Sequence, residues 1–469
     1  IGHAALTTSD GGVGNTAVGY SAATSLSTGD YNVAIGYQAL DSNTTASNNT
    51  AVGTNSLGAN TTGTSNAAMG TSAMVSNTTG GSNVAIGQDA LYSNTTASNN
   101  TAVGKSALEQ NTTGAQNVAV GANALDANTT AANNTAVGYN ALTGNTTGTA
   151  NVAVGTATLV ANTEANNNTA VGYAALNANT TGHSNTAVGK DAGIAITTGA
   201  YNTLIGALAG DEITTADSNT SVGYRSMAST TTGTQNTALG ADAFRVNSTG
   251  SYNTAVGYQA LVANTTANNN TALGYGAMQS NTTGADSVAV GFGALDAQTT
   301  GGSNVAVGKD SLTSQTTGEY NVAVGRNTLA SSTTAVGNTA VGDAALYTTN
   351  ANNNTALGYA ALNANSTGEQ NTAIGREALT ANTTASNNVA VGMEALKANT
   401  TGAANVAVGQ GALIANTTAS NNTAVGNSAG VSVTTGSNNN FHGYLAGGDV
   451  TTGANNIMIG NEAGHYTTP

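Results

Sequence analysis

The sequence predicts an all-β fold, a parallel β-solenoid (β-roll) of about 28 coils, and three observations carry that prediction. A glycine recurs at Gly2, Gly19, Gly36, Gly53 and onward to Gly460, always 17 residues apart except for one step of 16 between Gly342 and Gly358. Each of these glycines closes a phrase of alternating β-formers, such as Asn117-Val118-Ala119-Val120-Gly121. No apolar rhythm of helical period lies between the phrases. A short fixed period of this kind makes each copy one coil stacked on the last.

Composition narrows the class further. Of 469 residues 61 are glycine, 6% are charged and 4% aromatic, with no tryptophan or cysteine. In a non-repetitive chain this bias would suggest a disordered linker, and the period reverses that reading. Residues 1–469 read as a single continuous repeat domain, with variant coils near 190–215 and 428–469. The chain begins inside a phrase at Ile1-Gly2 and ends inside one at Thr468-Pro469, so we expect a processed protein or the ordered part of a longer one. At about 4.8 Å per coil the repeats make a rod roughly 130 Å long, whose open sheet edges favour joining head to tail.

Charge and apolar patterning exclude several classes. The net charge of −14 comes from 22 acids and 8 bases spread thinly, so no basic stripe exists for a phosphate backbone and nucleic acid is not expected as a partner. No apolar run reaches the length of a membrane span, and no signal peptide is recognisable. Without cysteine there is neither a disulfide nor a thiolate metal site.

Numbering the coil so that Asn134 is position 1 and Gly138 position 5, the consensus is N-[T/V]-A-[V/I/L]-G-x-x-A-L-x-x-N-T-T-[G/A]-x-x. Positions 2 to 4 alternate in face and form the main strand. Gly at 5 turns a corner that excludes a Cβ. Ala-Leu at 8 and 9 makes a second short face, and Asn-Thr-Thr at 12 to 14 a third. All thirty charged residues fall at 6, 7, 10, 11, 13, 14, 16 or 17, so positions 1 to 5, 8, 9, 12 and 15 read as buried or backbone-constrained.

Two correlations sharpen the map. Where position 9 loses its usual Leu, at Ala23, Gly193, Gly210, Gly430 and Gly447, position 12 gains Leu26, Ile196, Ile213, Val433 and Val450 in place of Asn. Constant core volume requires both positions to point into one interior, and the usual Asn at 12 then forms a stacked amide ladder. Position 15 is Gly or Ala, and most Ala coils carry Asn at 17, as in Ala46-Ser47-Asn48. This predicts that the left-handed corner sits at 15 in one coil type and at 17 in the other.

The phrase Asn32-Val33-Ala34-Ile35-Gly36 resembles the head repeat of trimeric autotransporter adhesins, the YadA-like left-handed parallel β-roll. The longer form Asn-Thr-Ala-Val-Gly-Tyr-x-Ala-Leu-x-x-Asn-Thr-Thr-Gly is similar to repeats of bacteriophage tail fibres and bacterial surface fibres. The resemblance covers essentially the whole chain, although the adhesin repeat is usually shorter and no coiled-coil stalk or membrane anchor is recognisable. It implies a left-handed homotrimer with Ala17 and Ala22 inside each roll, and Val18, Ile35, Val52, Val103, Val120 and Val137 lining a threefold seam. A single-chain solenoid with Val at 4 and Leu at 9 both inward is the competing arrangement.

Candidate chemistry is sparse. His3, His183 and His465 occupy outward positions and read as surface. His442 follows Phe441 in the strand, where Ala-Val is usual, and three copies at a trimer axis would hold a metal or anion; a packing variant is the other reading. Asp211-Glu212 and Glu377 stand singly, without a paired carboxylate or histidine at fixed spacing, so neither an active site nor a cofactor is expected. The Asn-Thr-Thr triplets are formal glycosylation sequons, and their stacked threonines form a hydroxyl ladder that carries or binds glycan, or serves as β-forming, soluble surface. Tyr at 6, as in Tyr20, Tyr37 and Tyr139, reads as a lid over the roll ahead of a sugar platform. The expected function is a non-enzymatic fibre or adhesin shaft at a cell surface or on a virion, partnered by itself as a homotrimer or filament and by surface carbohydrate. A phage tail-fibre shaft and an ice-binding solenoid are the alternatives.

Overall fold

The computed structural model describes residues 2–8 and 10–465. The terminal Ile1 and Thr468-Pro469 lie outside these. The chain forms two compact units, Ile1–Gln235 and Asn236–Pro469. Among the described residues there are twenty-seven strands, numbered β1 to β27 in chain order, and no helix. The first unit runs from β1 (Thr16–Val18) to β13 (Thr220–Val222), and the second from β14 (Thr237–Leu239) to β27 (Ile457–Ile459). Each unit is a parallel β-solenoid with a 17-residue repeat.

The main strand forms where the alternating phrase places it. Val118, Ala119 and Val120 pair with Thr135, Ala136 and Val137 without offset. The one short step also keeps register, because Thr339 pairs with Thr355 across the 16-residue coil. The second and third faces are backbone ladders between coils. The Leu108 amide donates to Ala124 carbonyl at 3.0 Å, and Thr112 to Thr129 at 2.8 Å. A Cβ on Gly104, which has φ of 138°, would sit 2.5 Å from the Gly121 carbonyl oxygen of the next coil, so position 5 requires glycine.

A coil this small encloses little volume, which explains its alanines. Ala119, Ala124 and Leu125, at positions 3, 8 and 9, are fully buried, as are Asn117 and Asn128 at 1 and 12. Strand alternation then turns positions 2 and 4 outward. Val18 is 43% exposed, Ile35 39% and Met69 46%, which removes the arrangement with Val at 4 inside the single-chain core.

The exchange between positions 9 and 12 is real and has a third member. Leu26, Ile196, Ile213 and Val433 are fully buried, whereas Val450 is half-buried. A Cβ on Gly193 would sit 2.7 Å from Leu204 Cδ1, and one on Gly210 would sit 2.7 Å from Ile213 Cδ1. Leu204 and Phe441 stand at position 3, where alanine is usual, and fill the space that Leu at 9 vacates. Position 9 is also left-handed in every coil, with φ of 53° at Leu108 and 59° at Gly193. Leucine there is held against its backbone preference by burial and coil-to-coil bonds, and glycine relieves it.

The expectation of two left-handed corners is overturned. Position 17 has positive φ in both coil types, 63° at Asn48 after Ala46 and 61° at Ser65 after Gly63. A short polar residue at 16 accepts the amide of position 16 in the preceding coil in both coil types: Ser98 Oγ, after Ala97, takes Gly81 N at 3.0 Å, and Ser437 Oγ, after Gly436, takes Ser420 N at 3.1 Å. A small residue at 15 is required because the site packs on the next coil's carbonyl and on the amide at 12.

Candidate functional site

Two buried amide ladders hold the coils in register. At position 12, Asn60 Nδ2 donates to Asn43 Oδ1 at 3.2 Å, Asn77 to Asn60 at 2.8 Å and Asn94 to Asn77 at 2.8 Å. At position 1 the backbone takes the donor's role, as Asn49 N donates to Asn32 Oδ1 at 3.0 Å. Both side chains also donate to one carbonyl within their own coil, at position 15: Asn49 and Asn60 meet Gly63 O at 2.9 and 3.0 Å. The sequence pointed to the ladder at 12 and missed the one at 1, although Asn recurs there in every described coil except at Ser287. Where aliphatic residues interrupt position 12, the last amide oxygens, Asn179 Oδ1 and Asn416 Oδ1, are buried without a partner.

The threonine rows divide. At position 13 the hydroxyl donates to the next coil's backbone, as Thr61 Oγ1 does to Thr78 O at 3.1 Å, so this half of the ladder is structural. Position 14, for example Thr62, is exposed. Several tyrosines at 6 are half exposed and stack on one another along the edge. Tyr20 is 50% exposed and stacks on Tyr37 at 5.4 Å, and Tyr275 stacks between Tyr258 and Phe292 at 5.5 and 5.2 Å. Within these stacks the inner ring faces that a sugar platform would offer are covered.

The charged edge at positions 6, 7 and 10 forms ion pairs across coils. Lys397 Nζ lies 2.6 Å from Glu377 and 2.9 Å from Glu394, and Arg376 reaches both carboxylates at 4.0 and 3.6 Å. Glu377 therefore does not stand singly, and the Lys397 hydrogen bond holds its carboxyl below the usual range. Burial pushes the carboxyls of Asp41, Asp211 and Asp296 up. His3 stacks on Tyr20 at 5.4 Å, His183 meets Tyr201 edge-on at 4.8 Å, and His465 lies 3.3 Å from Asp449. Among the described residues no group of three or more His, Cys, Asp or Glu is placed to hold a metal.

What remains is the outward face of the main strand. Val18, Ile35, Val52, Val103, Val120 and Val137 fall in one row at position 4, beside the Thr/Val row at 2. No charged residue enters either row. His442, in β26 (Asn440–His442), is half-buried in the same row of the second unit, between Val425 and Ile459. The two rows together form a continuous uncharged stripe along the strands of each unit. No helix among the described residues is long and apolar enough to cross a membrane. No protein-family model matches the chain, and no curated protein matches it.

Proposed function

We propose that the chain is a non-catalytic structural shaft, carried outside a cell or on a virion, whose strand faces pack against other copies of the chain, three to a fibre. The observation that carries this reading is the outward face: uncharged rows at positions 2 and 4, with Leu273 46% and Leu357 45% exposed. Every charge is kept to the other edges, where it keeps the fibre soluble. The resemblance to adhesin and tail-fibre repeats supports three copies and the outer location, and a three-His442 site at the axis belongs to this same arrangement. Light scattering on the folded protein tests it. Three times 45.4 kDa is the expected mass, and a folded single-chain mass overturns it. In the trimer, Val137→Lys places a charge in the seam and releases single chains that keep their β-sheet circular dichroism.

A second reading draws on the same face. Thr169, Thr186, Thr203 and Thr220 stand at position 2 in consecutive, unshifted strands, a regular hydroxyl and methyl surface of the kind that orders water at ice. Freezing-point hysteresis of the protein solution would support it, and its absence removes it.

A further inference from the structure

We infer that the chain carries a row of N-linked glycans at position 17, on the exposed asparagines of its Asn-Asn-Thr sequons, while the Asn-Thr-Thr sequons at position 12 stay unmodified. The inference rests on the reading that the chain is displayed outside the cell. A glycan on an N-x-Ser/Thr asparagine is compatible with the folded chain only where that asparagine is on the surface, so a chain that has folded carries none on a buried one. The coil sorts its sequons by that rule. Asn43, Asn60, Asn94 and Asn128, each opening an Asn-Thr-Thr triplet, are fully buried. Their nitrogens are committed: Asn128 Nδ2 donates to Asn111 Oδ1 at 2.8 Å and to Ala131 O at 3.1 Å.

The sequons that begin at position 17 have the opposite geometry. In the first unit Asn48, Asn99, Asn133 and Asn167 are exposed, and each is followed two residues later by a threonine at position 2. In the second unit Asn269, Asn353 and Asn421 repeat this. The asparagine is left-handed, with φ of 63° at Asn133, which lifts it onto the corner. The middle residue turns inward, since Asn134 Nδ2 donates to Gly148 O at 2.9 Å, and the threonine turns outward again in the strand. Asn133 is exposed and Thr135 half-buried, so both residues lie on the outside of the coil, next to the apolar face. Between Asn99, Asn133 and Asn167 stand Gln116 and Ala150, so these three acceptors alternate with blank coils, about 9.6 Å apart, and the others are spaced more widely.

The chemistry is transfer of an oligosaccharide from a lipid pyrophosphate donor. Asn Nδ2 forms a bond to the anomeric carbon and loses a proton to a base of the transferase, while the bond from that carbon to the pyrophosphate oxygen breaks and the lipid pyrophosphate leaves with the electron pair. Asn269 is the poorest acceptor in the row, because its Nδ2 donates to Asp286 Oδ1 at 3.0 Å.

The test is peptide mapping of the chain isolated from the organism that makes it, after enzymatic release of N-glycans in heavy-oxygen water, with surface proteolysis of whole cells or particles in parallel. Heavy aspartate at position 17 with least at Asn269, and none at position 12, is the expected result. Label at Asn43, Asn60 or Asn128 overturns the sorting. No label on a chain that the protease reaches overturns the glycan row and leaves the shaft standing. A chain found only inside the cell removes both. Asn133→Gln and Thr135→Val should each remove one glycan of seven. Both replacements already fold at equivalent positions, as Gln116 with φ of 61° and Val152 in the strand, so a glycan persisting at residue 133 in T135V also defeats the inference.

Discussion

From Asn43 to Asn179, position 12 of the first unit is asparagine in every coil, whereas between Asn281 and Asn365 in the second it reads Gln298, Gln315, Ser332 and Thr349. Both stretches keep their interior bonded, save Asn179 Oδ1 at the end of the first. In the irregular one, Gln298 Nε2 reaches Asn281 Oδ1 at 3.2 Å and the shortened Ser287 Oγ at 3.4 Å, Ser332 Oγ donates to Gln315 Oε1 at 2.8 Å, and Asn365 Nδ2 donates to Thr349 Oγ1 at 3.3 Å. The short coil follows the same rule. Asn350 Oδ1 accepts Thr333 N at 2.8 Å and Thr333 Oγ1 at 2.9 Å, the groups that elsewhere find a backbone carbonyl, as Thr316 N and Oγ1 find Thr333 O at 2.8 and 2.9 Å. The deleted residue's carbonyl is replaced by a side-chain amide. What the solenoid repeats is the placement of donors and acceptors, and residue identity repeats only where nothing nearby compensates.

The comparison breaks most sharply in the regular stretch. Asn128→Asp puts a carboxylate among the acceptors Asn111 Oδ1 and Ala131 O and should lower stability by about 3–5 kcal/mol at neutral pH. Hydrogen exchange of the coils flanking residue 128 reads this. The loss should shrink in acid as the carboxyl protonates, and an equal loss at both ends of the pH range would refute the charge argument. Phe441→Ala should cost about 3–5 kcal/mol by cavity formation in the second unit. Adding Gly447→Leu should recover part of it, because Phe441 occupies the space next to that missing side chain; strictly additive losses in a double-mutant cycle would deny the shared volume.

Asn350→Ala removes the surrogate carbonyl and, because the bond is exposed to water, should cost about 0.5–1.5 kcal/mol, with faster exchange at the Thr333 amide. Inserting one threonine after residue 350 in that variant should restore protection by rebuilding a full coil. The smallest effect concerns Asp211, whose carboxyl is raised mainly by burial. A raised folded-state value means the ionised carboxylate opposes folding, so this penalty is present at neutral pH and fades as pH falls through the raised value. Asp211→Asn should therefore stabilise at pH 7 by no more than about 0.5 kcal/mol and make no difference in acid. Thermal midpoints at the two pH values decide it.

The period, the strand at 2 to 4, the glycine at 5 and the inward pair at 9 and 12 were all legible, because each is a pattern that 28 copies repeat or exchange within one chain. The outward face at position 4 was legible only as one of two arrangements. Valine satisfies a core and a contact surface equally well, and it took the burial of Ala119 beneath Val120 to separate them. The corner at 17 is hidden in the sequence because glycine at 15 is equally compatible with a left-handed backbone there. Crowding by the neighbouring carbonyl selects the same small residue. Asn350 and Gln298 were hidden for a different reason: a substitution that conserves a hydrogen bond leaves no trace in the pattern of residue types.

Both amide ladders are vectors. At position 12 the later coil donates to the earlier, as Asn145 Nδ2 does to Asn128 Oδ1 at 3.1 Å, and at position 1 Asn151 N donates to Asn134 Oδ1 at 2.9 Å. A completed coil therefore presents unfilled amide oxygens on its C-terminal side, the side from which a ribosome delivers the residues that will fill them. Synthesis and stacking run in the same sense, and each finished turn is the template for the one that follows it.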